Sequence, residues 1–488
     1  MESCSGAGTV SRLWGLSVHP KDLWFLVFRV LPKLLPSLLK RFQKDEYAHT
    51  PGIELEIVAA TLPELPQDVL MVIFAHLDIF DFIRAGSVCS SWHVAYSELR
   101  NTGMYKQSQT PCLFYTSKSA GENIGCLYSL VEQREYKLTF PEPPIRSRFL
   151  IGSSNGWLIT ADERSELHLV NPITCEQIAL PSVITIEQVK PIFDDSGTLH
   201  KYELSYYTGE DVYDEHEREV HALSDLRVYC YYKAFVFPDP STGSHIVVLI
   251  HNPYRQLSFS RPGHYKWTWL PPNAGYRDCV YMDGLLYALT SVGEIDAFNL
   301  AGPTVTRKVI VDKMKNYVYE SVYLVPAPWG DLLQVWRIVD NPNQVLVDDD
   351  GSRIVNVKQE DEDGDALEYD STTPLLYITR KITVYKVDMS AKVLVKIKSL
   401  PHHMLFLGHN QSLCLGAAEH PQLKANHAYF TDDHEELVMV TQDHTRDIGV
   451  INLENHRRKE VVPRLWSNWP CPTWIMLNLS MMNLAFSI

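Results

Sequence analysis

From about residue 108 onward the apolar residues of this chain recur with a period of two, and no helical pattern of comparable length competes. The stretch "KVLVKIK", residues 392–398, sets Val393, Val395 and Ile397 against Lys392, Lys396 and Lys398, broken only by Leu394. That is the pattern of a strand with one wet face. Similar short runs are "CLYSL", "LHLV", "HIVVLI", "KWTWL", "LLQVW", "ITVYKV", "HAYF" and "ELVMV", and Gly, Pro, Asn and Asp separate many of them. About 380 residues therefore read as all-β.

Length narrows the architecture. The chain has 488 residues, too many for one ordinary core, although a propeller can hold several hundred residues in a single ring. "GWLITADERSELHLVN" (156–171) aligns without gaps on "GLLYALTSVGEIDAFN" (284–299), with Gly156 on Gly284, Glu166 on Glu294, Leu167 on Ile295 and Asn171 on Asn299. The offset of 128 residues is three units of about 43, within the size of a propeller blade. A sandwich of this size would need exceptional sheets, and the absence of a Trp-Asp dipeptide argues against the WD-repeat type. A ring predicts that "LWSNWPCPTWIM", with Trp466, Trp469 and Trp474, closes the last blade onto strands beginning near Cys112; the alternative is a ligand-facing aromatic patch.

"GSSNG" (152–156) satisfies the form of a hydrolase nucleophile elbow, with Ser154 as nucleophile. An elbow needs a strand before it and a helix after it. The residues directly after it, "WLITADERSELHLVNP", read as two strands. Asn155-Gly156 is better understood as a two-residue hairpin turn, where both residues take positive φ, and no catalytic residue is assigned.

The segment ahead of the β region is different. Val69 to Phe74 are six consecutive apolar residues in a short helical stretch, whereas a helix packed on one core needs only an apolar stripe. Pro63 and Pro66 suit a first turn, Asp68 adds a carboxylate near the positive helix end, and a helix runs from Val69 to Leu77. Asp78 and Asp81 are candidate caps for a second helix, "FIRAGSV", and Ser90 for a third, "SWHVAYSEL". So small a unit buries too little to stand comfortably alone, and its surplus apolar surface points to a partner protein.

The formal net charge of −15 and the shortness of the basic clusters "KRF" and "HRRK" argue against a general nucleic-acid binder. Nine scattered cysteines without a Cys-x-x-Cys suit reduced thiols in the cytosol or nucleus. The apolar stretch 22–42 is interrupted by Arg29, Pro32, Lys33 and Pro36 and is too broken to span a membrane. It reads as a disordered or self-packed leader, with a surface-lying amphipathic segment as the alternative. The acidic run 347–370 reads as a solvated loop, lacking the ligand spacing of a calcium loop, and 207–221 reads the same way. His402, His403 and His409 lie close in sequence, but no carboxylate or Cys completes a metal set. No cofactor is expected.

The helical segment resembles the F-box. The pattern is carried by Leu62 and Pro63 (or Leu65 and Pro66), Asp68, Leu70, Ile73, Phe74, Leu77, Asp81, Val88, Cys89 and Trp92. The resemblance implies that Leu62, Pro63, Leu65, Pro66, Leu70, Ile73 and Phe74 face a Skp-type adaptor, and through it a cullin, while Leu77, Val88 and Trp92 hold the three helices together. A second resemblance covers about 112–475: "FLIGSSNGWLITADERSELHLVNPITCEQIALPSV", "HYKWTWLP", "VYMDGLLYALTSVGEIDAF", "GDLLQVWR" and "SLPHHMLFLGHNQS" look like plant F-box proteins with a C-terminal KIB-type β-propeller (domain of unknown function 295). Cys175, where members often carry Gly, is a departure.

The expected fold is mainly β: a leader (1–59), a small three-helix F-box domain (60–100), a C-terminal β-propeller (108–475) with the acidic insertion, and a tail (476–488). The resemblance implies a non-catalytic substrate-recognition subunit of an SCF-type cullin-RING ubiquitin ligase, in the cytoplasm or nucleus, whose propeller holds an unidentified target protein. The alternative is an F-box and propeller regulatory protein acting outside a ligase.

Overall fold

A computed structural model of the chain describes residues 65–105, 109–206, 218–239, 244–271, 275–302, 304–314, 321–340, 346–347, 353–354, 378–433, 446–461 and 469–478. Two compact units result, a helical one up to Gln109 and a β one that begins at Thr110.

The helical unit consists of α1 (Gln67–Phe74), α2 (Ile79–Ala85) and α3 (Ser90–Asn101). Asp78 caps α2 as expected, accepting the Asp81 N–H at 2.9 Å. Asp81 is no cap: it sits inside the first turn and pairs with Arg84 at 3.1 Å. Ser90 is the first residue of α3, and the extended Cys89 precedes it as the cap position. The interior is aromatic. Phe74 meets the rings of Phe82 and Trp92 edge-on, and Phe82 stacks on Tyr105 at 4.3 Å. The Tyr105 hydroxyl donates to the Leu77 carbonyl at 2.7 Å.

The β unit is a propeller of six blades among the described residues. Blade 1 comprises Cys112–Thr116, Ile124–Ser129 and Arg134–Thr139, completed by Thr473–Ile475. Blade 2 is Phe149–Ser154, Trp157–Ala161, Leu167–Val170 and Gln177–Ala179. Blade 3 is Tyr231–Asp239, Ser244–His251, Gln256–Ser260 and Thr268–Leu270, and blade 4 is Tyr276–Met282, Leu285–Thr290, Ile295–Asn299 and Thr306–Val311. Blade 5 uses Ser321–Pro326, Leu332–Asp340, Ile378–Asp388 and Val393–Ile397. Blade 6 is five-stranded, and its strand His403–Leu407 runs parallel to His427–Phe430.

Each blade is antiparallel inside, apart from that pair, and the apolar cores lie between blades. Phe235, Ile246 and Leu286 join blades 3 and 4, Leu289 and Val322 join 4 and 5, Val384 and Phe430 join 5 and 6, and Phe406 and Trp474 join 6 and 1. Inner strands are covered on both faces, so Phe149–Ser154 and Trp157–Ala161 are buried at every residue and read as near-continuous apolar runs. Closure is as expected: Leu113 pairs with Trp474 and Cys112 with Ile475.

Several expectations need correcting. The hairpins at Asn155-Gly156 and Asp283-Gly284 occupy equivalent places, each leading into the second strand of a blade, but those blades are two apart rather than three. A separate three-stranded sheet (Val189–Phe193, Leu199–Ser205, Arg218–Ala222) is inserted between blades 2 and 3 and makes up the extra length. Its last strand also overturns the loop reading of residues 218–221. The strand in "KVLVKIK" exists, but its outer valines are not covered: Val393 and Val395 are 45% and 49% exposed. A short hairpin, Leu346–Val347 with Arg353–Ile354, stands where the acidic run begins. The leader 1–59, Leu62, Pro63, the run "ELVMV", Trp466 and most of the acidic insertion and tail lie outside the described residues.

Candidate functional site

Two places hold side chains that can act on something outside the fold or organise it. The first is α1. Its eight residues present apolar groups in all directions, and α2 and α3 cover one side. Leu70, Ile73 and Phe74 are buried, as is Leu77, while Val88 and Trp92 are half-buried. Leu70, Ile73 and Phe74 therefore do not form an exposed docking face in the free chain; they belong with Leu77 in the interior. The surface share of the helix falls to Val72, 42% exposed, with half-buried Val69 and Met71, and to Leu65 and Pro66 just before it. Val72 sits one turn from Asp68, and nothing in the sequence pattern singles it out among six apolar neighbours.

The second place is the centre of the propeller. Lys233, on the inner strand of blade 3, meets Asp278 of blade 4 at 3.0 Å, both buried. The other Asp278 oxygen accepts from the Leu324 N–H of blade 5 at 2.9 Å and from Ser412 Oγ of blade 6 at 3.1 Å. Burial opposes charge on both partners. On Lys233 the carboxylates of Asp278 and Asp433 outweigh it, and its pKa stands above the usual lysine value; on Asp278 burial wins and the carboxyl is pushed upward.

Arg337 of blade 5 donates to Thr379 Oγ1, the Tyr323 hydroxyl, the Thr431 carbonyl, Asp433 and Asp447 at 2.7–3.2 Å, and lies 4.7 Å from the Phe430 ring centroid. Asp433 is held below its ordinary range: burial opposes the charge, but Arg337, His409 and Lys233 outweigh it. A charge inside an apolar strand must find a partner, so "YKAFVF" and "QVWRIV" carry a legible signal that strand patterning alone passes over. These polar groups tie blades 3 to 6 together, each charge answered by another.

Ser154 belongs to the same centre. Its buried hydroxyl lies 2.7 Å from the Val236 carbonyl and 2.8 Å from Gln411 Oε1, two acceptors outside its own blade, rather than facing a histidine. Asn155 (φ 50°) and Gly156 (φ 87°) form the turn, and a strand comes after it, so no nucleophile elbow is built. Gly152 is required by close approach: a Cβ there would stand 2.6 Å from the Ala234 carbonyl oxygen. His409 is buried between blades with both ring nitrogens unpartnered, and burial lowers its pKa to about 4. His402 is exposed, and among the described residues no three His, Cys, Asp or Glu side chains come together to hold a metal. No described helix is long and apolar enough to cross a membrane. Cys175 adopts φ 58°, a left-handed conformation that glycine takes at little cost.

Comparison with known proteins agrees with this division. The KIB1-4 beta-propeller family matches residues 127–452, and an F-box-like family matches residues 62–99. F-box protein KIB4 of Arabidopsis thaliana is 27% identical over 254 residues, covering 50% of this chain and 60% of that protein. The Arabidopsis F-box protein At4g22660 is 23% identical over 414 residues, 81% of this chain and 90% of its own length. The chain thus spans somewhat under two thirds of the first relative and most of the second. Among solved structures, a quinonprotein alcohol dehydrogenase-like protein from Bacteroides thetaiotaomicron aligns over 75% of this chain and 78% of its own at 8% identity with a TM-score of 0.31, too low to carry any argument. The propeller match extends over more than half of the sequence, and the chain belongs to the KIB1-4 beta-propeller family, with an F-box-like segment ahead of its propeller.

Proposed function

We propose that this chain is the substrate-recognition subunit of an SCF-type cullin-RING ubiquitin ligase. Its helical segment docks a Skp-type adaptor and through it a cullin, and its propeller presents a target protein for ubiquitination. The observation that carries the reading is the F-box-like match at 62–99 over a helix whose Val72 remains exposed, with Leu65 and Pro66 exposed just ahead of it. An F-box-like segment joined to a propeller, with F-box proteins as relatives, is the make-up of an adaptor-type receptor, and the chemistry of ubiquitin transfer resides on other subunits. Free cysteines at all eight described positions support action in the reducing cytosol or nucleus.

Co-purification tests the docking half. The full chain is expected to capture the adaptor together with the cullin. Val72→Asp puts a charge on an exposed apolar position without entering the core, so it should abolish capture while the melting temperature stays within a few degrees. Leu62→Ala with Pro63→Ala should weaken capture strongly. Normal capture by a chain lacking residues 60–100 would overturn the assignment, and adaptor capture without cullin would place the protein outside a ligase.

A further inference from the structure

His456, the first residue of the basic cluster "HRRK" (456–459), is far in sequence from Lys396 and Lys398 of "KVLVKIK", yet all three line one cavity. A cavity of about 460 Å³ is lined by Lys381, Lys396 and Lys398 of blade 5 and by Leu453, Glu454 and His456 of blade 6, over an apolar floor that includes Ile382 and Leu400. Three lysines face one carboxylate, in a protein of formal charge −15. No described carboxylate forms an ion pair with Lys381, Lys396 or Lys398. His456 reports the closeness of these charges: burial first, and then Lys381 and Lys396, hold its pKa below the ordinary histidine value.

The cavity adjoins an open sheet edge. The strand Val393–Ile397 is the outermost of blade 5, and no described strand pairs with its far side. Edge lysines alone are an ordinary guard against strand addition, but a guard needs no cavity and no contribution from a second blade. Nor does it leave Val393 and Val395 about half exposed on the same edge.

We infer that this edge and cavity bind an acidic segment of a partner protein in extended conformation, main chain along Val393–Ile397 and carboxylates toward Lys381, Lys396 and Lys398. Lys396 and Lys398, the latter just past the end of the strand, are two residues apart, about 7 Å in extended backbone, the same step as alternate side chains of an extended peptide. Main-chain pairing supplies affinity and the lysines select acidic side chains. The inference rests on the receptor reading only in naming the segment as part of a target; binding itself does not require the ligase.

The test uses the full chain and a fluorescent octapeptide of alternating Glu and Val. It should bind, weaken as salt is raised, and lose about tenfold or more in affinity with Lys381→Gln, Lys396→Gln and Lys398→Gln combined, since three screened pairs are removed. A Lys–Val octapeptide should not bind, a proline in mid-peptide should weaken binding, and Lys396→Arg should keep it. The triple variant should still unfold cooperatively and capture adaptor, which separates failure of this site from failure of the docking reading. Equal binding by the triple variant, absence of binding, displacement by millimolar inorganic phosphate, or tighter lysine-dependent binding of a short RNA would each overturn it.

Discussion

Lys233 stands in a strand whose neighbours are Tyr231, Ala234, Phe235 and Phe237, all buried, and Asp278 is what permits it there. Removing one member of a buried pair leaves an uncompensated charge, which costs about 3–5 kcal/mol, whereas replacing both with apolar groups of similar volume is often close to neutral. Lys233→Met is therefore expected to destabilise the propeller by several kcal/mol in denaturant titrations. Lys233→Met with Asp278→Leu should recover part of that loss. Full recovery is not expected, because Asp278 also accepts from Leu324 and Ser412 and the Leu324 N–H would be left unpaired. An additive double variant would contradict the pairing.

His409 makes a pH prediction at the same scale. Asp433 favours its protonation, Lys233, Arg446 and Arg337 oppose it, and burial dominates, giving a folded pKa of about 4. The unfolded imidazole titrates near 6.5, so the unfolded chain binds a proton that the folded chain refuses. The contribution is fully present above about pH 6.5 and is lost as pH falls toward 4, by up to about 3 kcal/mol. His409→Asn should flatten the pH dependence of stability across that window relative to the parent chain. An unchanged profile would mean that His409 is not held neutral.

At the scale of elements, legibility depended on how each element meets solvent. Asp78 was readable as a cap because Asp before an apolar run has a local reason to be there. The turns at Asn155-Gly156 and Asp283-Gly284 were readable because positive φ selects those residues. Faces were less legible. Six consecutive apolar residues in α1 show a surplus without saying which are surplus, since burial of Leu70 and exposure of Val72 depend on where the other helices lie. The same holds for Val393 and Val395, whose alternation predicts a strand but not which face is open. The charged centre was missed because Lys233, Asp278, Arg337 and Asp433 come from distant stretches, and only ring closure brings them together.

At the scale of the whole propeller, the miscounted spacing between the two aligned hairpins has one cause: sequence offsets cannot distinguish a blade from an insertion of similar length. The ring makes its own demand. Thr473–Ile475 supplies the inner strand of blade 1, and Trp474 lies in the core shared by blades 6 and 1. Truncation before Leu465 should thus lower the melting temperature of the entire β unit as one transition instead of fraying one end, because it bares the edge of Cys112–Thr116 and removes Trp474 from the core between blades 6 and 1. A soluble, native-like fragment ending near residue 300 would show that the blades do not depend on closure.

That arrangement also sets a clock during synthesis. Cys112–Thr116 leaves the ribosome roughly 360 residues before its partner Thr473–Ile475, and at about 5–20 residues per second that is a delay of some 20–70 s. Throughout it, Cys112, Leu113 and Phe114 lack their inner partners, so the nascent chain carries an unpaired apolar strand edge for most of its own translation. The first blade of the ring is therefore the last to be completed.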